Sequence, residues 1–329
     1  MKRLITLSCP RLRERSGEGA YQWQFSSQII ADQEEREEGE VVNTSITTSL
    51  PRYNAGMDLD GALDQLAHNA TAPLDVAELT LSLARDEYAN LDVEAYLSEL
   101  TGMAHEAKNY LRGNLEARVF GLCRYLFHDM GFRGNVQDYY NPRNSYLNEV
   151  LDRRTGLPIT LSVVAMAIGQ RAGLPIAGIA LPGHFVAMAS TNGREVLFDP
   201  FHGGRQLTSA DCENLVQQVT GIPFQATAEQ LRPVPLRMLV IRLLTNLKGV
   251  YLQQEDFVRA ARVIERLRQL NPHDAVQHRD LGVSLVHAGQ PGRAVDHLSA
   301  YLTASPHSPD AETVRRLLNQ ALKDVGKWN

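Results

Sequence analysis

The sequence predicts an α+β fold, a core of helices packed on an antiparallel sheet, followed by an all-α region of helical repeats. Three observations carry this prediction. Between Arg153 and Asp199, a helix that is apolar on nearly every side precedes three short strand-like runs. Two of those runs meet at Asn192-Gly193, a two-residue hairpin signal. Beyond Pro235, small, apolar and proline positions recur every 34 residues, the period of stacked helix pairs.

Taken in order, residues 1–56 mix an acidic patch, Glu34-Glu35-Arg36-Glu37-Glu38, with Ser and Thr and hold no sustained period. They are expected to form a poorly ordered extension, with organised pattern beginning shortly after Met57. A core domain with a helical lead-in is expected over 57–234, and helical repeats over 235–329. Asp75 and Glu78, three apart after Pro73, mark a helix start. A second helix follows Asn90, with Val93, Leu97, Leu100 and Ala104 on one face, and LEARVFGLCRYLFHDMGF supplies a third, ending near Gly131. Pro158 suits the first turn of the central helix, and Gly173 with Pro175 stops it. IAGIAL, HFVAMA and EVLFD then read as strands.

The hairpin fixes a geometry. A two-residue turn at Asn192-Gly193 sets Thr191 opposite Arg194 and therefore Val186 opposite Asp199. His184 shares a face with Val186, which makes His184 and Asp199 diagonal neighbours about 7–8 Å apart along the backbone. A histidine oriented by an aspartate is the base-and-orienter half of a catalytic triad.

In the C-terminal region Pro272 and Pro306 are 34 residues apart, as are Ala260 and Ala294, Leu247 and Leu281, Tyr251 and Leu285, and Ile264 and Leu298. This is the tetratricopeptide period, with a small residue at the helix crossing and Pro after the second helix. Val314 to Leu322 reads as a closing helix. An open concave face would be a groove for a protein partner, lined by His278, Arg279, His287 and Arg293.

The motifs NSYLNEVL, RRTGLPI, PGHF and FDPFHGG, in that order and spacing, resemble the bacterial SirB family of transglutaminase-like proteins. The resemblance covers roughly residues 72–320, and the same core occurs in an animal F-box protein. It implies a papain-like, transglutaminase-like core followed by tetratricopeptide-like repeats. It also implies that His184 and Asp199 occupy the second and third triad positions. The Gly-x-Cys of a typical transglutaminase-like core, however, falls on Gly156-Leu157-Pro158, and proline carries no nucleophile, a loss that the resemblance to SirB-like members implies.

Other residues are weighed beside these. Thr160 and Ser162 lie near the helix start but are rotated away from the cysteine position, and Thr160 is the better of the two as a replacement nucleophile. Cys123 reads as a small buried hydrophobe. Arg153 and Arg154 read either as a solvated turn or as an anion clamp at the helix start. Asn144 and Asn148 read as backbone-capping amides, with Asn144 also a candidate binding residue. His202 is a further binding candidate. A metal site built from His184, Asp199 and His202 lacks a further ligand on the hairpin, so no metal and no cofactor are expected.

Composition narrows the class. The 33 Lys and Arg against 38 Asp and Glu give a net charge of -5, with no basic field for nucleic acid. No apolar run reaches the roughly 20 residues of a membrane span. Three scattered cysteines fit a reducing, cytoplasmic setting. The expectation is therefore a catalytically degenerate domain acting as a protein-interaction or regulatory module. The alternative is a hydrolase or acyl-transfer enzyme on protein or amide substrates, using His184 and Asp199 with Thr160 or a water.

Overall fold

The computed structural model describes residues 11–14, 21–24, 58–70 and 72–326. The extension expected over 1–56 lies largely outside the described residues. Within it β1 (Arg11–Glu14) and β2 (Tyr21–Gln24) pair antiparallel, although no strand is expected there from the sequence. Among the described residues no helix is long and apolar enough to cross a membrane. The chain divides into two compact units: the first ends at Leu243, and the second holds β1 and β2 together with the residues from Leu244 on.

The first unit opens with α1 (Leu59–His68), α2 (Val76–Ala84), α3 (Val93–Ala107) and α4 (Leu115–Cys123). Each starts on a side-chain cap, Asp58, Asp75, Asp92 and Asn114, whose oxygen accepts an otherwise unpaired N–H. The expected single helix from Leu115 to Gly131 is in fact α4 followed by a π-helical turn, Arg124–Asp129. The widened turn brings both Tyr125 and Leu126 into the core. Next come β3 (Arg133–Gly134), α5 (Leu147–Arg153) and β4 (Thr155–Gly156), with β3 and β4 pairing in parallel.

The central helix is α6 (Pro158–Ala172). Pro158 is its first residue, and Gly173, at φ 85°, turns the chain out of it in the left-handed region that favours glycine. Leu161, Val164 and Ile168 on α6 have no exposed surface, and each contributes about 1.5–3 kcal/mol by burial. An antiparallel sheet follows in the order β5 (Ile176–Leu181), β6 (His184–Thr191), β7 (Arg194–Asp199), β8 (Arg205–Leu207). Asn192 and Gly193 both have positive φ, as a type I′ turn requires, and Thr191 faces Arg194.

Two helices cover opposite faces of this sheet. Gly169 of α6 lies so close to Ile176 that an added Cβ would meet its Cδ1 at 2.4 Å. Ile179, Leu181, Val186 and Met188, which the β5–β6 register with Ile179 opposite Val186 puts on the other face from Ile176, pack with Cys212, Leu215 and Val216 of α7 (Ser209–Thr220). His184 has the parity of Val186 and so belongs to the α7 face.

The second unit holds β1 and β2 together with the C-terminal helices. The later residues of α8 (Leu236–Gln253) are followed by α9 (Phe257–Leu270), α10 (Ala275–His287), α11 (Pro291–Ala304) and α12 (Ala311–Gly326). The residues spaced by 34, Leu247 and Leu281, Tyr251 and Leu285, Ala260 and Ala294, Ile264 and Leu298, are all buried. Gly282 shows how tight the crossing is, since an added Cβ would stand 2.6 Å from Leu298 Cδ2.

One group of charges lies inside this unit. Lys248 Nζ donates to Asp280 Oδ2 at 2.8 Å and to Gln277 Oε1 at 2.9 Å. Arg279 binds Asp280 Oδ1 through Nε at 2.7 Å and Asp310 Oδ2 through a terminal nitrogen at 2.7 Å. The expected groove lining is corrected here, because Arg279 is buried in this network. Of the other three, His287 stacks on Phe257, His278 meets His297 and Arg293 pairs with Glu265.

Candidate functional site

The loop after β7 is organised by one carboxylate. Asp199 Oδ1 accepts the backbone N–H of Phe201 at 2.9 Å and of His202 at 3.3 Å, and the Asp199 carbonyl accepts Gly204 N–H at 2.7 Å. Gly203 and Gly204 both have positive φ, which explains the two glycines of FDPFHGG. The same bonds turn Oδ2 toward two imidazoles. His184 Nε2 lies 3.0 Å from it and His202 Nδ1 2.7 Å, with the two rings stacked at 5.6 Å. Asp199 is 1% exposed and His184 5%, whereas about half of the His202 side chain faces solvent.

Electrostatics follow from this arrangement. Burial by itself would raise the Asp199 carboxyl, but hydrogen bonds with His184 and His202 outweigh it and hold the group well below the usual carboxylate range. The bond to Asp199 raises His202 above its ordinary value, against the opposing effect of desolvation. The backbone of His184 is held as well, since the Arg242 guanidinium donates to the carbonyls of Leu181 at 2.8 Å and His184 at 2.7 Å. With Nε2 turned to Asp199, Nδ1 is the ring nitrogen that remains for another partner.

At the start of α6 the chemistry is different. Pro158 occupies the first helical position, and Leu157 before it has no side-chain acceptor. Thr160 supplies the cap instead, its Oγ1 accepting Leu157 N–H at 2.9 Å while donating to the Asn144 carbonyl at 2.9 Å. Thr160 is fully buried in that role. Ser162 Oγ donates back to the Pro158 carbonyl at 2.8 Å. Phe201 touches both neighbourhoods. Its ring is edge-on to His184 at 6.0 Å, and it packs on Gly134, where an added Cβ would meet the ring at 2.6 Å. Gly134 pairs with Gly156, two residues before Pro158.

The comparisons with known proteins agree with this architecture. The pattern of the Transglutaminase-like superfamily matches residues 94–245, and that of the tetratricopeptide repeat matches residues 247–319. A UPF0162 protein of Xylella fastidiosa (strain 9a5c) is 34% identical over 275 residues, which span 81% of this chain and 93% of the relative. The chain belongs to the UPF0162 family. A UPF0162 protein of Vibrio cholerae is 25% identical over 248 residues, 75% of this chain and 88% of the relative. F-box only protein 21 of Mus musculus is 31% identical over 158 residues, 45% of this chain and 24% of the relative. The solved structure of menin covers 82% of this chain at 12% identity and a TM-score of 0.35, a likeness too slight to bear on the fold.

The remaining candidates of this UPF0162 protein lie apart from the His-Asp-His cluster in their bonding. Asn144 is fully buried and works on its own loop, donating to the carbonyls of Asp138 at 2.7 Å and Tyr139 at 3.1 Å and accepting from Asn135 and Arg153 at 3.0 Å each. Asn148 Oδ1, by contrast, is buried without a hydrogen-bond partner. Arg153 Nε stands 3.2 Å from Glu149 Oε2, close enough for an ion pair but at an angle too poor for a hydrogen bond. Arg154 takes φ 54° at the end of α5, which sends its side chain elsewhere, to Glu99 Oε1 at 3.0 Å and over the Phe132 ring at 4.8 Å. The two arginines are engaged with different acidic partners.

Sequence reasoning missed the neighbours of His202. A cleft of about 980 Å³ is lined by Phe120, Cys123, Phe127, His202, Gly204 and Arg205, among others. Phe120 is 66% exposed there. Cys123 is buried, and burial pushes its thiol up to about 12, so it is protonated at neutral pH. The signal that could have found this cleft is Gly204, because a second glycine is needed where an added Cβ would stand 2.5 Å from Cys123 Cβ.

Proposed function

We propose that this UPF0162 protein is a non-catalytic transglutaminase-like domain, residues 57–234, joined to a tetratricopeptide-like domain, residues 235–329, that binds a protein partner in the cytoplasm. The observation that carries this reading is Pro158 at the first position of α6, where a typical transglutaminase-like core carries its cysteine nucleophile. Two further observations support it. The hydroxyl of Thr160, the candidate replacement, already serves the Leu157 amide and the Asn144 carbonyl. The Phe201 ring packs against both His184 and Gly134, so a side chain of the protein itself lies beside the imidazole. On this reading the His184-Asp199 pair satisfies polar groups in a packed layer and orients the loop that follows.

The test compares wild type with His184→Ala in assays of ammonia release and amine incorporation on glutamine-containing proteins. The expected result is no release or incorporation above the His184→Ala background. Turnover that disappears with His184→Ala would overturn the non-catalytic reading in favour of a hydrolase or acyl-transfer enzyme using an activated water.

A further inference from the structure

Asp199 Oδ2 is approached by two imidazoles from different parts of the loop and sheet, and the three donor atoms lie within 4.8 Å of one another. We propose that His184, Asp199 and His202 bind a divalent transition-metal ion, and that Zn2+ is the ion their two nitrogens and one oxygen suit best.

Spacing is the first argument. Ligand atoms held about 2.1 Å from one ion stand about 3.0–3.4 Å apart. The His184 and His202 nitrogens stand 3.0 and 2.7 Å from Oδ2 and all three atoms lie within 4.8 Å, so the ion is admitted by a small opening of the N–O spacing as the two nitrogens draw together. His202 is half exposed, and turning its ring supplies that opening. Each neutral imidazole coordinates through the nitrogen that faces Asp199 once its proton is carried on the other ring nitrogen.

Support and access are the second. Metal-binding carboxylates are themselves held by hydrogen bonds, and here Oδ1 is held by the Phe201 and His202 amides. Arg242 holds the carbonyls of Leu181 and His184 on either side of the turn that introduces His184. The cleft beside His202 provides the route in. Three protein ligands leave a coordination position for water or for a side chain of a partner. The missing fourth ligand, which weighed against a metal at the level of sequence, is what an open site does without.

The inference does not depend on the non-catalytic reading, because metal binding and turnover are read separately. Full-length protein without an affinity tag is stripped with EDTA, dialysed and titrated with Zn2+ by calorimetry, beside His202→Ala and a His297→Ala control for the His278-His297 pair. We expect one saturable Zn2+ per chain, weakened by about tenfold or more in His202→Ala and unchanged in His297→Ala. With Co2+ in place of Zn2+, visible absorption bands should appear in wild type and be lost in His202→Ala. His202→Gln replaces the alanine variant if the latter does not fold. Absence of saturable binding, or binding of full strength in the His202 variant, overturns the proposal.

Discussion

Asp280 is the hub of the charges buried in the second unit, and substituting it should reveal how that unit is held together. Lys248 and Arg279 contribute two cations, Asp280 and Asp310 two anions, so the four cancel in a region where Lys248 and Asp280 are at most 3% exposed. Asp280→Asn removes one anion and leaves a surplus buried cation, with a single amide oxygen where two carboxylate oxygens accept from Lys248 and Arg279. A surplus charge of this kind costs about 3–5 kcal/mol. Lys248→Met leaves the complementary surplus, one buried anion, and should also cost about 3–5 kcal/mol although Asp280 keeps Arg279. Combining Lys248→Met with Asp280→Leu should destabilise by at least about 1 kcal/mol less than the sum of the single changes. Native-state hydrogen exchange of peptides from α10 and α11, read by mass spectrometry, measures the second unit without averaging over the first. A penalty below about 1 kcal/mol for either Asp280→Asn or Lys248→Met would refute the reasoning.

Two shorter predictions concern the first unit. Glu78 is buried beside Asp75 and its carboxyl is raised to about 7, chiefly by desolvation and then by Asp75 and Glu94. The folded state therefore keeps a proton that the unfolded chain sheds above about 4.5, so stability falls as pH rises from 4.5 to 7 and is level above that. Glu78→Gln should flatten this slope in urea titrations and raise stability at pH 8 by up to about 3 kcal/mol. An unchanged slope would show that the proton sits elsewhere. Gly204→Ala combines a φ of 77° with a Cβ 2.5 Å from Cys123, and should destabilise by about 2 kcal/mol or more. The heteronuclear NMR signals of His202 should shift with it, whereas Gly203→Ala, with the same backbone strain but open space around it, should disturb them less.

Much of the fold was legible because strong local rules wrote it. Pro158 and Gly173 bound α6, Asn192-Gly193 set the register of β6 and β7, and Ala260 with Ala294 gave the repeat. What escaped notice had weak local signals. The β3-β4 pair is two residues long on each strand, too short to carry a period. The helix α7 opens on a Thr208-Asp211 capping box but has an apolar side of only a few residues, among them Cys212, Leu215 and Val216. The site was legible in part. The hairpin rule brings His184 to Asp199, yet only the folded loop shows that His202 shares the same oxygen and that Phe201 lies against His184. The divergence of Arg153 and Arg154 depends on one left-handed residue that could not be read from Arg154 itself.

The proline at the head of α6 has a consequence beyond its missing side chain. A helix begins with backbone N–H groups that have no partner within the helix, and such groups are ready donors to a negative charge forming nearby. Pro158 has no N–H to give, and Leu157, before it, already donates its own to Thr160. One residue therefore withholds both an attacking atom and an amide that could steady an oxyanion. A thiol introduced at position 160 or 162 would still meet a helix end short of that donor, whereas Pro158→Cys would supply sulfur and amide together.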